Sequence, residues 1–561
     1  MARSRWKLSG PYFAVLVAFF PASLASPPDI RFDEKAKYDH IVDSLNILTY
    51  LFLLVLTVVT IWMFKHRRLR FIHETGLAVI YGLIIGAILR YTSSTTEISH
   101  WDVTAVSTNA TEAMIPPDTL RVEVPLSIVK STQTVMVNKT FSYTFKGEIT
   151  DATENEIEEK ATFDPEIFFN ILLPPIIFNA GYSLKRKYFF RNLGTIMTLA
   201  FLGTTIAATV TGSIIYGFVQ LFQAVDVLER GFSFADCLSF GALISATDPV
   251  TVLAIFNDLQ VDTSLYILVF GESVLNDAVA IVLTGAITEY TETYASGSTF
   301  DGIAFLKAFG KFVSTFFCSL FIGCAMGCAT AIISFPIFLN LVMGDARILS
   351  LKFLVSPMSI RLQSREGPTS RSEYRRIVAV LFCGICQAHY TYNNLSAESR
   401  TRTKQLFEVL NFLAENFIFS YIGVSMFTFP WHRWHGGFIS ASFLAIAIGR
   451  AANIYPLCFL LNLGKKRPIP TTFQHVLFFS GLRGAMAFAL AIRNTVSSAR
   501  QMVLTTTSLI VIVTVIVCGG STSQVLYWLG IKCGSDEPEH EILNNGPHSI
   551  KCGIYAPPQT R

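Results

Sequence analysis

Charge is what this sequence has least of. Lysine, arginine, aspartate and glutamate make up 15% of its 561 residues, against about 25% in an ordinary soluble domain. Hydrophobic residues make up 51%. That balance excludes a water-soluble globule and is the composition of an all-α polytopic membrane protein. The net charge of +4 is too small to supply the basic surface that nucleic acid requires. The long polar stretch 91–163 holds no cysteine, so no disulfide framework is indicated. Cys237, Cys318, Cys324, Cys328, Cys458 and Cys518 fall instead in apolar runs. Cys383 and Cys386 have redox or zinc spacing but stand in an apolar run with no second pair beside them. No motif suggests covalent chemistry, a bound metal or a cofactor, so an enzyme in the usual sense is not expected.

What is present is a series of apolar runs long enough to cross a bilayer. One of them, from about Leu265 to Ile287, carries Glu272 and Asp277 near mid-span, with Ser273 and Asn276 beside them. An acidic residue at the centre of a membrane helix costs roughly 2.5–3.5 kcal/mol on insertion scales. Glu272, Asn276 and Val279 share one helical stripe, and Ser273, Asp277 and Ala280 the adjacent one. The polar atoms therefore form one face, which must look into the protein. Two readings stand: a buried, neutralised cluster that holds helices together, or a cation or proton site.

In chain order, residues 1–25 have the basic start, short apolar core and small-x-small end of a signal peptide. Spans are expected at about Ile47–Phe64 and Leu77–Leu89. The cluster Lys65-His-Arg-Arg-Leu-Arg70 after the first is cytosolic by the positive-inside rule. The stretch 91–163 then lies in the lumen, where Asn109 and Asn138 head glycosylation sequons. Within it, Val122–Phe145 alternates as a hairpin does. Glu166–Leu184 contains Pro174-Pro175, which predicts a kink. Further spans are expected at about Leu193–Phe218, Cys237–Phe256, Ile303–Leu341, Leu406–Phe427, Ile439–Leu461, Val476–Ile492 and Val503–Leu529.

Two of these are interrupted. Thr247-Asp248-Pro249 sits inside Cys237–Phe256, and Gly481-Leu-Arg483-Gly484 inside Val476–Ile492. Helices broken at the midplane expose backbone groups and half-helix ends to an ion. The alternative for the first is a simple kink capped by Asp248. Arg450 and Arg483 are buried by position and need carboxylate or carbonyl partners. Glu272, Asp248 and Asp277 are the acidic residues this reading places at depth.

These residues carry a resemblance. SATDPVTVLAIF at 245–256, FGESVLNDAVAIVL at 270–283, GRAANIYPL at 449–457 and GLRGAMAFAL at 481–490 resemble the sodium/hydrogen exchanger family. FKHRRLRFIHETG at 64–76, FNILLPPIIFNAGYSLKRKYFFRNLG at 169–194 and CQAHYTYNNLS at 386–396 resemble its organellar, endosomal branch. The resemblance implies two inverted repeats of about six helices with broken crossing helices, joined by a linker helix. It implies a homodimer in the lipid bilayer that exchanges Na⁺ or K⁺ for H⁺ electroneutrally. Asp277 would be the ion-binding carboxylate and Asn276 its partner, offering a carbonyl oxygen, with Thr247, Asp248 and Ser273 around them. Arg483 would be the charge of the second crossing helix, and Glu272 with Arg450 a structural salt bridge.

One segment departs from the pattern. The family has a further helix before VAVLFCG at 378–384, whereas here KFLVSPMSIRLQSREGPTSRSEYRR at 352–376 stands in its place. The apolar run after it, Ile377–Cys386, is too short to span and is flanked by basic residues. The implied organisation is a first repeat with luminal loop and linker helix over 26–343, an atypical basic segment at 344–376, a second repeat over 377–531 and a short cytosolic tail at 532–561. Two functions follow: a working antiporter that regulates luminal pH in an endosome or other organelle, or a transport-inactive isoform that pairs with full-length exchangers. An ion channel is disfavoured, because no pore-loop motif is present and broken helices suit a carrier.

Overall fold

The computed structural model describes residues 44, 47–60, 74–92, 119–130, 133–144, 168–184, 186–226, 228, 231–248, 250–294, 302–340, 370–429, 432–464, 468–493, 495 and 497–531. The expected signal peptide, Asn109, residues 344–369 and the tail 532–561 lie outside them. The chain divides into two units. In the first, comprising 1–46 and 99–152, the described part is an antiparallel hairpin of β1 (Thr119–Lys130) and β2 (Gln133–Thr144). Its register runs from Thr119 opposite Thr144 to Lys130 opposite Gln133, so the period-two alternation of this stretch does build strands, and Asn138 lies on β2 opposite Pro125.

The second unit is helical. Its elements are α1 (Ile47–Thr60), α2 (Glu74–Thr92), α3 (Leu173–Tyr182), α4 (Arg186–Arg191), α5 (Leu193–Ala224), α6 (Phe234–Ser245), α7 (Val250–Asp258) and α8 (Thr263–Tyr294). They continue with α9 (Gly302–Asn340), α10 (Ser370–His389), α11 (Ala397–Thr428), α12 (Gly436–Leu463), α13 (Thr471–Phe479), α14 (Ala485–Ile492) and α15 (Ser498–Trp528). Among the described residues, α2, α5, α8, α9, α11, α12 and α15 are each long and apolar enough to cross a membrane. The protein is a multi-pass membrane protein.

Burial separates the helices by role. Protein covers 83% of the apolar window of α8, against 28% for α9. The outward face of α9 carries Phe317, Phe321 and Ile332, the pattern of a helix that meets lipid. Helix α8 packs against α6, α9, α10 and α14, so its polar face is enclosed by protein, as its carboxylates demand. Helix α6 starts with a capping box: Ser233 Oγ accepts from the Asp236 amide at 3.1 Å, and Asp236 Oδ2 accepts from the Ser233 amide at 3.1 Å.

Pro174 and Pro175 stand where the regular α-helical ladder is interrupted. A π-helical turn, Phe168–Leu172, precedes them, and they occupy the first turn of α3, where a missing N–H costs nothing. The short run Ile377–Cys386 is the middle of α10, a helix of 20 residues that is not among the described helices long and apolar enough to cross a membrane. Ser370–Arg376 extends it because arginine and glutamate are good helix formers. Its apolar part is held by close glycine contacts. A Cβ on Gly323 of α9 would lie 2.4 Å from the Ala379 carbonyl oxygen, and one on Gly181 of α3 would lie 2.6 Å from that of Leu381. Gly323 faces Ala379 and Phe382, while Gly327, further along α9, faces Cys386. Helices α9 and α10 therefore run parallel.

Candidate functional site

The two interrupted helices meet at their breaks. Helix α6 ends at Ser245, the chain is extended through Ala246, and α7 begins at Val250. Helix α13 ends at Phe479 and α14 begins at Ala485. A helix ending inside the protein leaves carbonyls without amide partners, each costing several kcal/mol in a membrane. Each break supplies what the other lacks. Arg483 Nη1 donates to the carbonyls of Ser245 at 3.0 Å and Ala246 at 3.3 Å, placing a cation at the negative end of α6. The Asp248 amide donates to the Leu482 carbonyl at 3.0 Å. Asp248 also packs against Gly484, at the positive start of α14.

That contact admits nothing larger than glycine. A Cβ on Gly484 would sit 2.1 Å from Asp248 Cβ. Gly484→Ala is expected to force the breaks apart and cost about 1–3 kcal/mol. A lower melting temperature in detergent, with an unchanged value for Gly464→Ala, where a Cβ meets nothing within 4 Å, would show it.

Helix α8 locks the crossing from the side. Asn276 Nδ2 donates to the Ser245 carbonyl at 2.9 Å and to Thr247 Oγ1 at 3.1 Å. Its Oδ1 accepts from Thr204, which a π-helical turn at Leu199–Gly203 in α5 brings to α8. Ser273 donates its hydroxyl to the Thr247 carbonyl. Both ends of the Asn276 amide are thus engaged by protein. One turn before Asn276 on the same stripe of α8, Arg450 of α12 grips Glu272 with two bonds, Nη1 to Oε1 at 2.6 Å and Nη2 to Oε2 at 3.0 Å. Nη2 also donates to the Leu477 carbonyl of α13 at 2.8 Å. The pair ties α8, α12 and the second broken helix together, all out of contact with water.

Asp277 differs from its neighbours. It lines a cavity of about 350 Å³. Its Oδ1 is buried and has no hydrogen-bond partner among the described residues. Asp248 and Glu272 lie near enough for their charges to act on it. The cavity is also lined by Asp248, Ser273, Asn179, Tyr266 and Met486, and its exposed edge is Ser183, Asn257 and Glu408. At that edge Lys404 pairs with Glu408 at 3.5 Å, and Lys187 follows Ser183 by four residues. Three further lining residues, Glu408, Asn411 and Glu415 on α11, were not singled out in the sequence. Their signal was spacing: they recur at i, i+3 and i+7, one helical face.

Helices broken at mid-depth, crossing at their breaks beside a carboxylate with an unused oxygen, are the architecture of a secondary transporter. Comparison with known proteins makes the assignment specific. Residues 53–528 match the family described as sodium/hydrogen exchanger, transmembrane. The chain is 51% identical over 524 residues to human sodium/hydrogen exchanger 7, covering 92% of this chain and 68% of that protein. It is 50% identical over 512 residues to human sodium/hydrogen exchanger 9, covering 90% and 75%. Its fold is similar to that of the sodium proton antiporter MjNhaP1 from Methanocaldococcus jannaschii, with a TM-score of 0.52 and 17% identity over 86% of this chain and 98% of that one. The chain belongs to the sodium/hydrogen exchanger family.

Proposed function

We propose that this chain exchanges Na⁺ or K⁺ for H⁺, one for one, across the membrane of an endosome or related organelle. The observation that carries the reading is the unpartnered Oδ1 of Asp277 on a cavity that opens at one end of the bundle. Proton and cation compete for that carboxylate. A single titrating site trades one proton for one monovalent cation and moves no net charge. Asn276, Ser273, Thr247 and Arg483 keep the crossing in register, and Glu272 with Arg450 steadies the helices around it. The basic residues beside the cavity mouth assign that end to the cytosol by the positive-inside rule, so the conformation described is open inward. The organellar assignment rests on the stretches 64–76, 169–194 and 386–396 and on the identity to human exchangers 7 and 9. A homodimer is part of the same reading.

The test is cation-driven proton flux in liposomes that contain the full chain and a luminal pH dye. A Na⁺ or K⁺ gradient is expected to drive flux that is unaffected by clamping the membrane potential. Flux that follows the potential would replace exchange with a conductive path.

One observation favours a second reading, a transport-inactive isoform that pairs with full-length exchangers. Helices α9 and α10 run parallel, yet the sequence between them, 341–369, does not resemble the helix that the family resemblance implies there. Co-purification with a differently tagged full-length exchanger, together with absent flux from the chain alone, would select it.

A further inference from the structure

The cavity has two walls. One is α11, which packs on α2 so closely that a Cβ on Gly423 would lie 2.5 Å from the Val79 carbonyl oxygen. The other includes Ala485 and Met486 of α14, against which α15 packs. Helix α11 starts at the cytosolic mouth, where Lys404 and Glu408 pair, and its 32 residues carry it to Thr428 on the luminal side. There the two walls are joined. His432, in the connection from α11 to α12, places Nε2 2.9 Å from the Ser425 carbonyl of α11 and Nδ1 3.0 Å from Thr505 Oγ1 of α15. The amide of Arg433 donates to the same Thr505 oxygen at 3.2 Å. The ring is half-buried, with Phe429 at 5.6 Å and Trp434 at 6.0 Å.

A carbonyl only accepts, so Nε2 carries a hydrogen. The Thr505 hydroxyl donates to a bare Nδ1. It accepts from a protonated one by turning its own hydrogen to the Gln501 carbonyl, 2.9 Å away. The hydrogen bonds are met in either state, so charge decides. Ser425, Thr505, Phe429 and Trp434 do not titrate. Arg433 adjoins the ring in the chain, and His435 is turned away to Phe222 and the Phe438 amide. The charge that acts on the ring is Arg90, which donates to the Phe427 carbonyl at 3.1 Å from the end of α2. Burial and then Arg90 hold the imidazole below its ordinary value, against the smaller opposing pull of the Ser425 carbonyl. The joined form therefore resists the proton, and falling pH favours the form in which α11 and α15 part. Alternating access requires that they part, because a luminal opening lies between the same two walls. We propose that His432 is a luminal-pH latch, which holds the luminal side of the exchanger shut when neutral and lets it open when the lumen turns acid. Proton removal then speeds up as the lumen acidifies. The inference rests on the exchange reading for its transport arm alone.

Hydrogen–deuterium exchange of the full chain in detergent, corrected for the intrinsic rate at each pH, reads the latch without transport. A proton taken up by the parted form alone, near the ordinary imidazole value of about 6.5, raises its share about tenfold between about pH 7.5 and about pH 5.5. Protection of the last turn of α11 and the first turns of α15 is expected to fall by that factor in the parent. His432→Gln keeps a donor for Ser425 but cannot take the charge, so its protection should not change with pH. Arg90→Gln should move the fall to higher pH. The transport arm uses liposomes that carry the chain in one orientation, at saturating Na⁺ and fixed cytosolic-side pH. Luminal acid should speed the parent relative to His432→Gln. If the parent carries no flux but shows the fall that His432→Gln lacks, the exchange reading fails and the latch stands. If the parent carries flux and its protection does not fall with pH, or falls equally in His432→Gln, the latch is overturned and exchange stands. Should His432→Gln fail to fold, Thr505→Val decides: it removes the hydroxyl from the contact, and parent-level protection at neutral pH would refute the proposal.

Discussion

Asp277→Asn is expected to reduce cation-driven proton flux to the level of protein-free liposomes. The substitution keeps volume and polarity but removes the group on which proton and cation compete. It costs the fold little, because the Asp277 Oδ1 makes no hydrogen bond among the described residues. No loss of stability is expected, because the neutral amide relieves the cost of burying a carboxylate. Lost flux with an unchanged melting temperature would therefore isolate function from stability. The contrast is internal to α8. Asn276, the adjacent residue, bonds Ser245, Thr247 and Thr204, so Asn276→Ala is expected to lower the melting temperature as well. Flux that survives in Asp277→Asn would move the competing site elsewhere.

Breaking the Glu272–Arg450 pair should have the largest effect on stability. Both side chains are buried, at 1% and 4% exposure, and each of the two oxygens of Glu272 accepts from a different nitrogen of Arg450. Removing one partner leaves the other as an uncompensated buried charge, which costs about 3–5 kcal/mol. Glu272→Gln and Arg450→Met are each expected to lose most of the folded, detergent-stable protein. The exchange of charges, Glu272→Arg with Arg450→Glu, tests the contact itself. Partial recovery over Glu272→Arg and Arg450→Glu made singly, seen as a monodisperse size-exclusion peak, is the expected result, and no recovery would count against the pair as the stabilising element. Recovery stays partial because Arg450 also donates to the Leu477 carbonyl, which a glutamate cannot replace.

Much of this was legible in the sequence because ionisable residues inside apolar runs are costly and therefore conspicuous. Asp248, Glu272, Asp277, Arg450 and Arg483 announced themselves that way, and the structure brings all five to the crossing. Glu415 met the same criterion and was passed over. It lies in a helix whose first half is thick with charge, from Glu398 to Glu408, so one more carboxylate did not stand out from a solvated end. Only the cavity tells which of those charges faces inward. The position of Pro174-Pro175 was visible, but not the π-helical turn, Phe168–Leu172, directly before it. A proline pair reads alike in the middle of a helix and at its first turn. The full extent of α10 was not legible because hydropathy marks the apolar part of a helix and not its hydrogen-bonded extent.

The parallel course of α9 and α10 bears on how the chain is made. A ribosome-bound translocon sorts each segment by its own hydrophobicity as it emerges. Helix α10 opens with Arg371, Glu373, Arg375 and Arg376, and its apolar run, Ile377–Cys386, is about half the length a membrane span needs. Such a segment has no strong entry signal of its own. Its place must be won afterwards, by the glycine-lined contacts that α3 and α9 offer it. Cellular yield of this protein should then hinge on late docking of one helix, and Gly181→Val or Gly323→Val should lower the amount that escapes quality control, without touching the crossing at all.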